Sequence, residues 1–191
     1  KELDKFSLVA VHAPFLEVKY ASDTQTKKIF SKLRCLYIML PIKYMIIHPD
    51  TIEDFSILED TGLPFLIENM DSKKDKGISA AQFEEYNKKF SFGYVLDLQH
   101  AYEHDHSMDL VRDLINTMGS RLKHMHVSGQ TKELKHAPLH LSENQEAIVQ
   151  ILKLGINVPK ICEGLLTDLN PEITSKELEF LKRYENRNIY I

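Results

Sequence analysis

Short apolar runs that each close on polar residues, spaced by helix-length amphipathic stretches, set the tightest limit on what this chain can fold into. The runs are residues 7–12, 44–48, 64–70, 93–98, 122–127 and 158–163. They are rich in Val, Ile, Leu, Tyr and Phe, as strands buried on both faces of a parallel sheet must be. Strand and helix alternating in this way is the pattern of repeated βαβ units. The intervening helices are equally readable. Residues 23–39 carry Ile29, Phe30, Leu33, Leu36 and Tyr37 at helical spacing. Residues 79–90 open on Ser79, a good N-cap. Residues 107–118 stop at Gly119, residues 142–154 stop at Gly155, and residues 174–184 follow Pro171.

The expected architecture is therefore a parallel α/β barrel in a single domain spanning residues 1–191. No repeat, low-complexity segment or linker interrupts it. Six runs are fewer than the eight strands of a closed barrel. Residues 187–191 offer one more, and the chain opens without methionine close to a strand, so the expectation is a barrel lacking its first part. An open doubly wound sheet is the alternative.

Composition narrows the setting. A hydrophobic fraction of 43% supports a sizeable core, and a net charge of −4 argues against a large phosphate-tracking surface. Cys35 and Cys162 lie far apart with no CxxC spacing, which reads as two reduced, buried thiols in a cytoplasmic protein. No secretory leader is apparent. The longest apolar stretch, residues 35–47, is broken by Pro41 and Lys43 and does not reach a bilayer-spanning length.

The chemistry sits at the ends of the runs. His12 closes the first in VHAP, His48 the second in IIHPD, and Glu68 the third in LIENMD. Asp97 and His100 close the fourth in VLDLQH, His126 the fifth in HMHVSG, and Glu163 the sixth in ICEG. In a parallel barrel all these ends face one mouth. A histidine at one strand end is commonly a satisfied hydrogen-bonding group. An acid there is harder to explain structurally, because burying its charge is costly. Carboxylates crowded at one mouth repel unless something neutralises them, and Asp, Glu and His are the usual ligands of divalent cations. His124 shares a strand face with His126 but lies deeper, which suits a core or supporting role. His136, His140 and Glu133 sit in a long loop over the mouth, whereas His104 and His106 read as surface residues.

The ordered set of motifs, from about Ser7 to about Glu163, resembles the xylose-isomerase-like barrel superfamily, which includes endonuclease IV (AP endonuclease family 2) and the sugar isomerases and epimerases. The resemblance implies a (β/α)8 TIM-barrel fold in which this chain lacks the first two strands. It also implies one metal, often manganese, on Glu68, Asp97, His126 and Glu163 in the epimerase branch. There the two glutamates move protons and His100 touches substrate. In the endonuclease IV branch it implies up to three zinc ions. His12 and His48 join Glu68 in a second site, and His100 joins an Asp-x-His pair from a later loop in a third. His136 matches that histidine, but Leu134 stands where the aspartate would be, which leaves the third site to Glu133 or His140 for completion.

Three activities follow as expectations. The first is a phosphoester hydrolase with a multi-metal site, zinc preferred over manganese or magnesium. The acidic balance disfavours DNA, so a small phosphoester or sugar phosphate is an equal candidate beside abasic DNA. The second is a one-metal sugar isomerase or epimerase in which Glu68 and Glu163 shuttle a proton. The third is a metal-binding protein without turnover. No membrane partner is expected, and the sequence is silent on oligomeric state.

Overall fold

The computed structural model describes residues 2–164, 170–184 and 189–190. Its sheet contains β1 (Ala10–His12), β2 (Tyr44–Ile47), β3 (Phe65–Glu68), β4 (Gly93–Asp97), β5 (Leu122–Val127), β6 (Lys160–Cys162) and the two-residue β7 (Ile189–Tyr190). The helices are α1 (Thr24–Met39), α2 (Ser56–Glu59), α3 (Ala80–Lys89), α4 (Leu98–His104), α5 (Asp109–Met118), α6 (Gln145–Leu152) and α7 (Pro171–Lys182). The strands follow one another in sequence order across a single sheet, and every pair is parallel. A doubly wound sheet reverses its order at a switch point. No reversal occurs here, so the sheet is of the TIM-barrel type. Among the described residues no ladder joins β7 to β1.

Two apolar layers divide the strand residues by parity. Met45, Ile47, Phe65, Ile67, Tyr94, Leu96, Met125 and Val127 face outward into the main core. Ile46, Leu66 and Val95 face inward with Ala10 and Tyr44 and form a small inner core. The inward series then continues upward into polar residues: Ile46 leads to His48, Leu66 to Glu68, and Val95 to Asp97. Side chains alternate along a strand with a period of two, so the inner-facing positions at the strand ends are fixed by this parity.

Strand β5 reaches the same arrangement only through a bulge. Tyr94 pairs with Leu122, but the next residue, Val95, pairs with His124. Lys123 is the extra residue. A one-residue slip moves every later side chain to the other face. Without the bulge, His124 and His126 would point out toward the helices. With it, both point inward and Met125 joins the outer core. Gly93 makes room at this level: a Cβ there would lie 2.6 Å from Leu66 Cδ2 and 3.2 Å from both Arg121 O and Lys123 Cγ.

Caps are supplied as the sequence proposes. Asp23 accepts from Thr26 N at 2.7 Å, and Ser79 accepts from Gln82 N at 3.4 Å. Helix α7 begins three residues earlier than expected, at Pro171, because Asn170 caps it and proline suits the first helical position. Helix α4 is an addition. Asp97 both ends β4 and accepts from His100 N at 2.7 Å, so the chain turns directly from strand into helix.

Two expectations about α1 are corrected. Only Leu33 and Thr26 are buried on it, while Leu36 and Tyr37 are exposed together with Ile38 and Met39. Cys35 is exposed, not buried, because it lies in the last turns of α1 beyond the packed cluster. Cys162 is half-buried and lies 3.6 Å from Glu177 Oε1. Both cysteines are free thiols, and no described helix is long and apolar enough to cross a membrane.

Two outcomes are expected. Gly93→Ala should lower unfolding stability in urea by about 1–3 kcal/mol, as overpacking does. Burial, with Glu177 beside it, pushes the Cys162 thiol up to about 12. Iodoacetamide at pH 8 should therefore modify Cys35 and spare Cys162, read by mass of the tryptic peptides.

Candidate metal centre

Glu68 is at the centre of the mouth. It ends β3 fully enclosed, and its two carboxylate oxygens face opposite neighbours. Oε1 lies 2.7 Å from His126 Nδ1. Oε2 lies 3.2 Å from His48 Nε2 and 3.3 Å from His12 Nε2. These two imidazoles are close enough to attract Oε2 but are not aligned to donate, so Oε2 has no hydrogen-bond partner among the described residues. His126 Nδ1 also reaches Glu163 Oε1 at 3.0 Å and Asp97 Oδ2 at 4.0 Å. Asp97 Oδ2 is likewise buried without a hydrogen-bond partner.

Asp97 is held by an amide clamp that sequence reading quoted but gave no role. Asn69 Oδ1 accepts from Asp97 N at 2.6 Å, and Asn69 Nδ2 donates to Asp97 O at 2.9 Å. The signal was its place directly after Glu68 in LIENMD. The same residue's carbonyl lies 2.9 Å from His100 Nδ1, which orients that ring from the first turn of α4. His136 packs its ring edge-on to His100 with centroids 5.2 Å apart, and its Nδ1 lies 2.9 Å from Ser128 Oγ.

Three groups of ligand-type atoms result. They are His12, Glu68 and His126; Glu68, Asp97, His126 and Glu163; and Asp97, His100 and His136. Within each, the atoms lie within 4.8 Å of one another. His48 adds to the first group through Glu68 Oε2. All seven positions singled out at the strand ends, with His136 from the loop after β5, are thus brought to one mouth. His140 is not among them: its Nδ1 lies 2.6 Å from Glu177 Oε2, which ties it to α7. Glu133 is exposed and joins no group. His106 is exposed and stacks on Tyr102, while His104 is half-buried against Met70 O at 3.1 Å. Phe15, which sequence reading passed over, lies 4.6 Å ring to ring from His48 and 5.6 Å from His12.

The electrostatics are those of a crowded anionic site. Burial pushes Glu68 up, but His126, His12 and His48 outweigh it and hold the carboxyl well below its usual range. Burial raises Asp97; Glu163 and Glu68 add to that, and His100 and His126 only partly offset it. Burial opposes charge on His126, yet Glu68 and Glu163 hold its pKa well above the ordinary imidazole value. Burial likewise works against His100, which Asp97 and Glu68 nonetheless raise to about 8. A divalent cation fits these residues. Two buried carboxylate oxygens, Glu68 Oε2 and Asp97 Oδ2, lack partners inside a mixed carboxylate and imidazole donor set.

With the geometry in hand, comparison with known proteins is informative. The sequence profile described as the xylose isomerase-like TIM barrel matches residues 53–184. Among solved structures, endonuclease IV from Thermus thermophilus aligns with a TM-score of 0.71 at 18% identity, over 93% of this chain and 75% of that one. At that identity the likeness speaks for the fold alone. A search of curated proteins gave no match.

Removing the clamp on Asp97 should be costly. Asn69→Ala leaves the buried N–H of Asp97 unpaired, at about 1–3 kcal/mol, and takes from its carbonyl one partner beside the bond that carbonyl accepts as the N-cap of α4. The expected loss in denaturant unfolding is about 1–3 kcal/mol; a loss near zero would mean that Asp97 is held by other means.

Proposed function

The chain belongs to the xylose isomerase-like TIM barrel family, and from that premise we propose that it is a divalent-metal-dependent phosphoester hydrolase, zinc-preferring, with abasic DNA among its candidate substrates. One observation carries this reading: the two oxygens of Glu68 face separate sets of imidazole nitrogens, His126 on one side and His12 with His48 on the other. A carboxylate so flanked can serve two cations at once. The imidazole-rich side suits zinc better than magnesium.

Glu68, Asp97, His126 and Glu163 would hold one cation, and His12, His48 and Glu68 a second. When bound, the cations polarise a phosphoryl oxygen and lower the pKa of water toward neutrality. Glu163 is the most open of the three carboxylates, with 26% of its side chain exposed. It is placed to accept a proton from the attacking water and to aim it. His100 and His136 present two rings at right angles beside Asp97 and would donate to phosphate oxygens. We assign them to substrate, since Leu134 leaves their group only a carboxylate already used by Glu68's cluster. At the rim, Phe15 is 42% exposed next to His12 and His48, and Leu16, 77% exposed, follows it in the chain. An apolar pair there favours a substrate with an open sugar or base face over a freely solvated one.

A second reading rests on the four-residue group alone. Glu68, Asp97, His126 and Glu163 suffice for one cation, and both glutamates meet His126 Nδ1, at 2.7 and 3.0 Å. Paired carboxylates at one centre can also pass a proton between sugar carbons, as an isomerase or epimerase requires.

Elemental analysis separates the two. Protein purified without added metal should carry two or more zinc ions per chain, and the zinc-loaded form should cleave abasic duplex or an activated phosphodiester. His48→Ala should lose one zinc and reduce the rate roughly 10²–10³-fold, the usual cost of removing a charge-stabilising group. A single manganese or magnesium, with solvent deuterium entering keto-sugars and no phosphodiester cleavage, would sink the hydrolase in favour of the isomerase. Tight metal binding with neither activity would leave a binding protein.

A further inference from the structure

Both ring nitrogens of His126 have neighbours, and one of those neighbours has no part in the site above. Nδ1 faces Glu68 and Glu163. Nε2 lies 3.3 Å from Nε2 of His124. His124 has no solvent exposure, and the bulge at Lys123 turns it inward, on the same face of β5 as His126. Tyr44 stacks beside it with ring centroids 6.2 Å apart. Its Nδ1 is buried with no hydrogen-bond partner among the described residues.

Packing alone does not call for an imidazole here. The inner layer at this level holds Ile46, Leu66 and Val95. A leucine would fill such a place without burying a ring nitrogen that finds no partner. The histidine is a costly choice, and a cost of that kind asks for a function.

The imidazole pair supplies one. A neutral imidazole has one N–H and one lone pair. For His126 to present the Nδ1 lone pair to a cation, its proton must sit on Nε2, pointing at His124. Without an acceptor there, the ring would favour the opposite tautomer. The proton would then lie on Nδ1, facing Glu68 and Glu163, and would block the cation. We infer that His124 is a positioning residue for the metal centre, its Nε2 lone pair accepting the Nε2–H of His126 and so holding that ring in the tautomer and orientation that leave Nδ1 free. The inference rests on the metal reading given under Proposed function. Partners of this kind on the far nitrogen of a ligating histidine are a general feature of metal sites. An imidazole in that role has a consequence: His124's own proton is left on Nδ1, the atom without a partner.

The test uses zinc and cobalt ions with the full chain, comparing wild type, His124→Leu and His124→Gln. Zinc affinity is read by competition with a chromophoric chelator, and cobalt binding by its visible absorption. His124→Leu, shown to be folded by a cooperative metal-free melt, should bind zinc about 10–100-fold more weakly than wild type and give an altered cobalt spectrum. His124→Gln, whose amide oxygen can accept the same N–H, should keep near wild-type affinity. Unchanged zinc affinity in His124→Leu overturns the inference, since a packing role predicts just that. Should His124→Leu fail to fold, the long-range ¹H–¹⁵N spectrum of zinc-loaded wild type decides. A proton on His126 Nε2 supports the inference and one on Nδ1 overturns it. Failure of wild type to bind any divalent ion would remove the metal reading itself, and this inference with it.

Discussion

Glu68, Asp97 and Glu163 put three carboxylates within reach of one imidazole nitrogen, most of the way out of water. Two like charges 4 Å apart repel by about 4 kcal/mol in surroundings of intermediate polarity. The fold must answer that repulsion at the very place where its strands end. Part of the answer is visible in the protonation behaviour. The site keeps a proton on His126 well above the ordinary imidazole range, favours one on His100 to about 8, and raises Asp97 through burial and its acidic neighbours. These are compromises among the residues themselves. A divalent cation relieves all of them together, because it neutralises the carboxylates and takes up the oxygens that have no partner.

The scaffold fixes this conflict in place by means that lie away from it. Parity in β2, β3 and β4 carries an apolar inner layer up into His48, Glu68 and Asp97. Strand β5 needs the bulge at Lys123 to do the same for His126. Asn69 then ties the ends of β3 and β4 together by gripping both backbone groups of Asp97. The loop that brings His136 is anchored twice. The buried amides of Gln99 and Asn144 bind each other and Gln130 at its start. Glu177 on α7 accepts from Leu139 N and His140 N near its end. Groups that would repel one another in a looser frame are therefore held by hydrogen bonds to side-chain amides and to Glu177, and by packing.

Much of this was legible because strand ends in a parallel barrel are marked twice, once by the close of an apolar run and once by a polar residue. Glu68, Asp97, His126 and Glu163 carried both marks. What escaped had local signals pointing elsewhere. Leu98–His104 follows β4 without a break, and its only helix signal is the Asp97-x-x-His100 cap, too short a mark to tell a helix from a turn. The apolar run after Leu33 suggested a buried helix face, yet Cys35, Leu36 and Tyr37 are exposed, since burial depends on what packs alongside and not on the run itself. The bulge leaves no mark in composition. His124 and His126 could be assigned to one face only because it falls before both of them. Asn69 looked like an ordinary polar residue because its partners are backbone atoms of a different strand.

The charge argument against nucleic acid also changes once the site is considered as a whole. The formal charge of −4 counts the carboxylates at the mouth as free anions. Two divalent cations held there would carry as much positive charge as the chain's net negative charge. They would place it at a mouth whose rim carries the exposed Phe15. With cations held there, a substrate approaching that mouth would meet their local field before it felt the net charge of the distant surface, which salt screens over about 8–10 Å. The acidic total therefore weighs against broad, backbone-tracking contact with nucleic acid. It does not weigh against a single phosphodiester presented at the mouth, and the same holds for a small phosphorylated sugar.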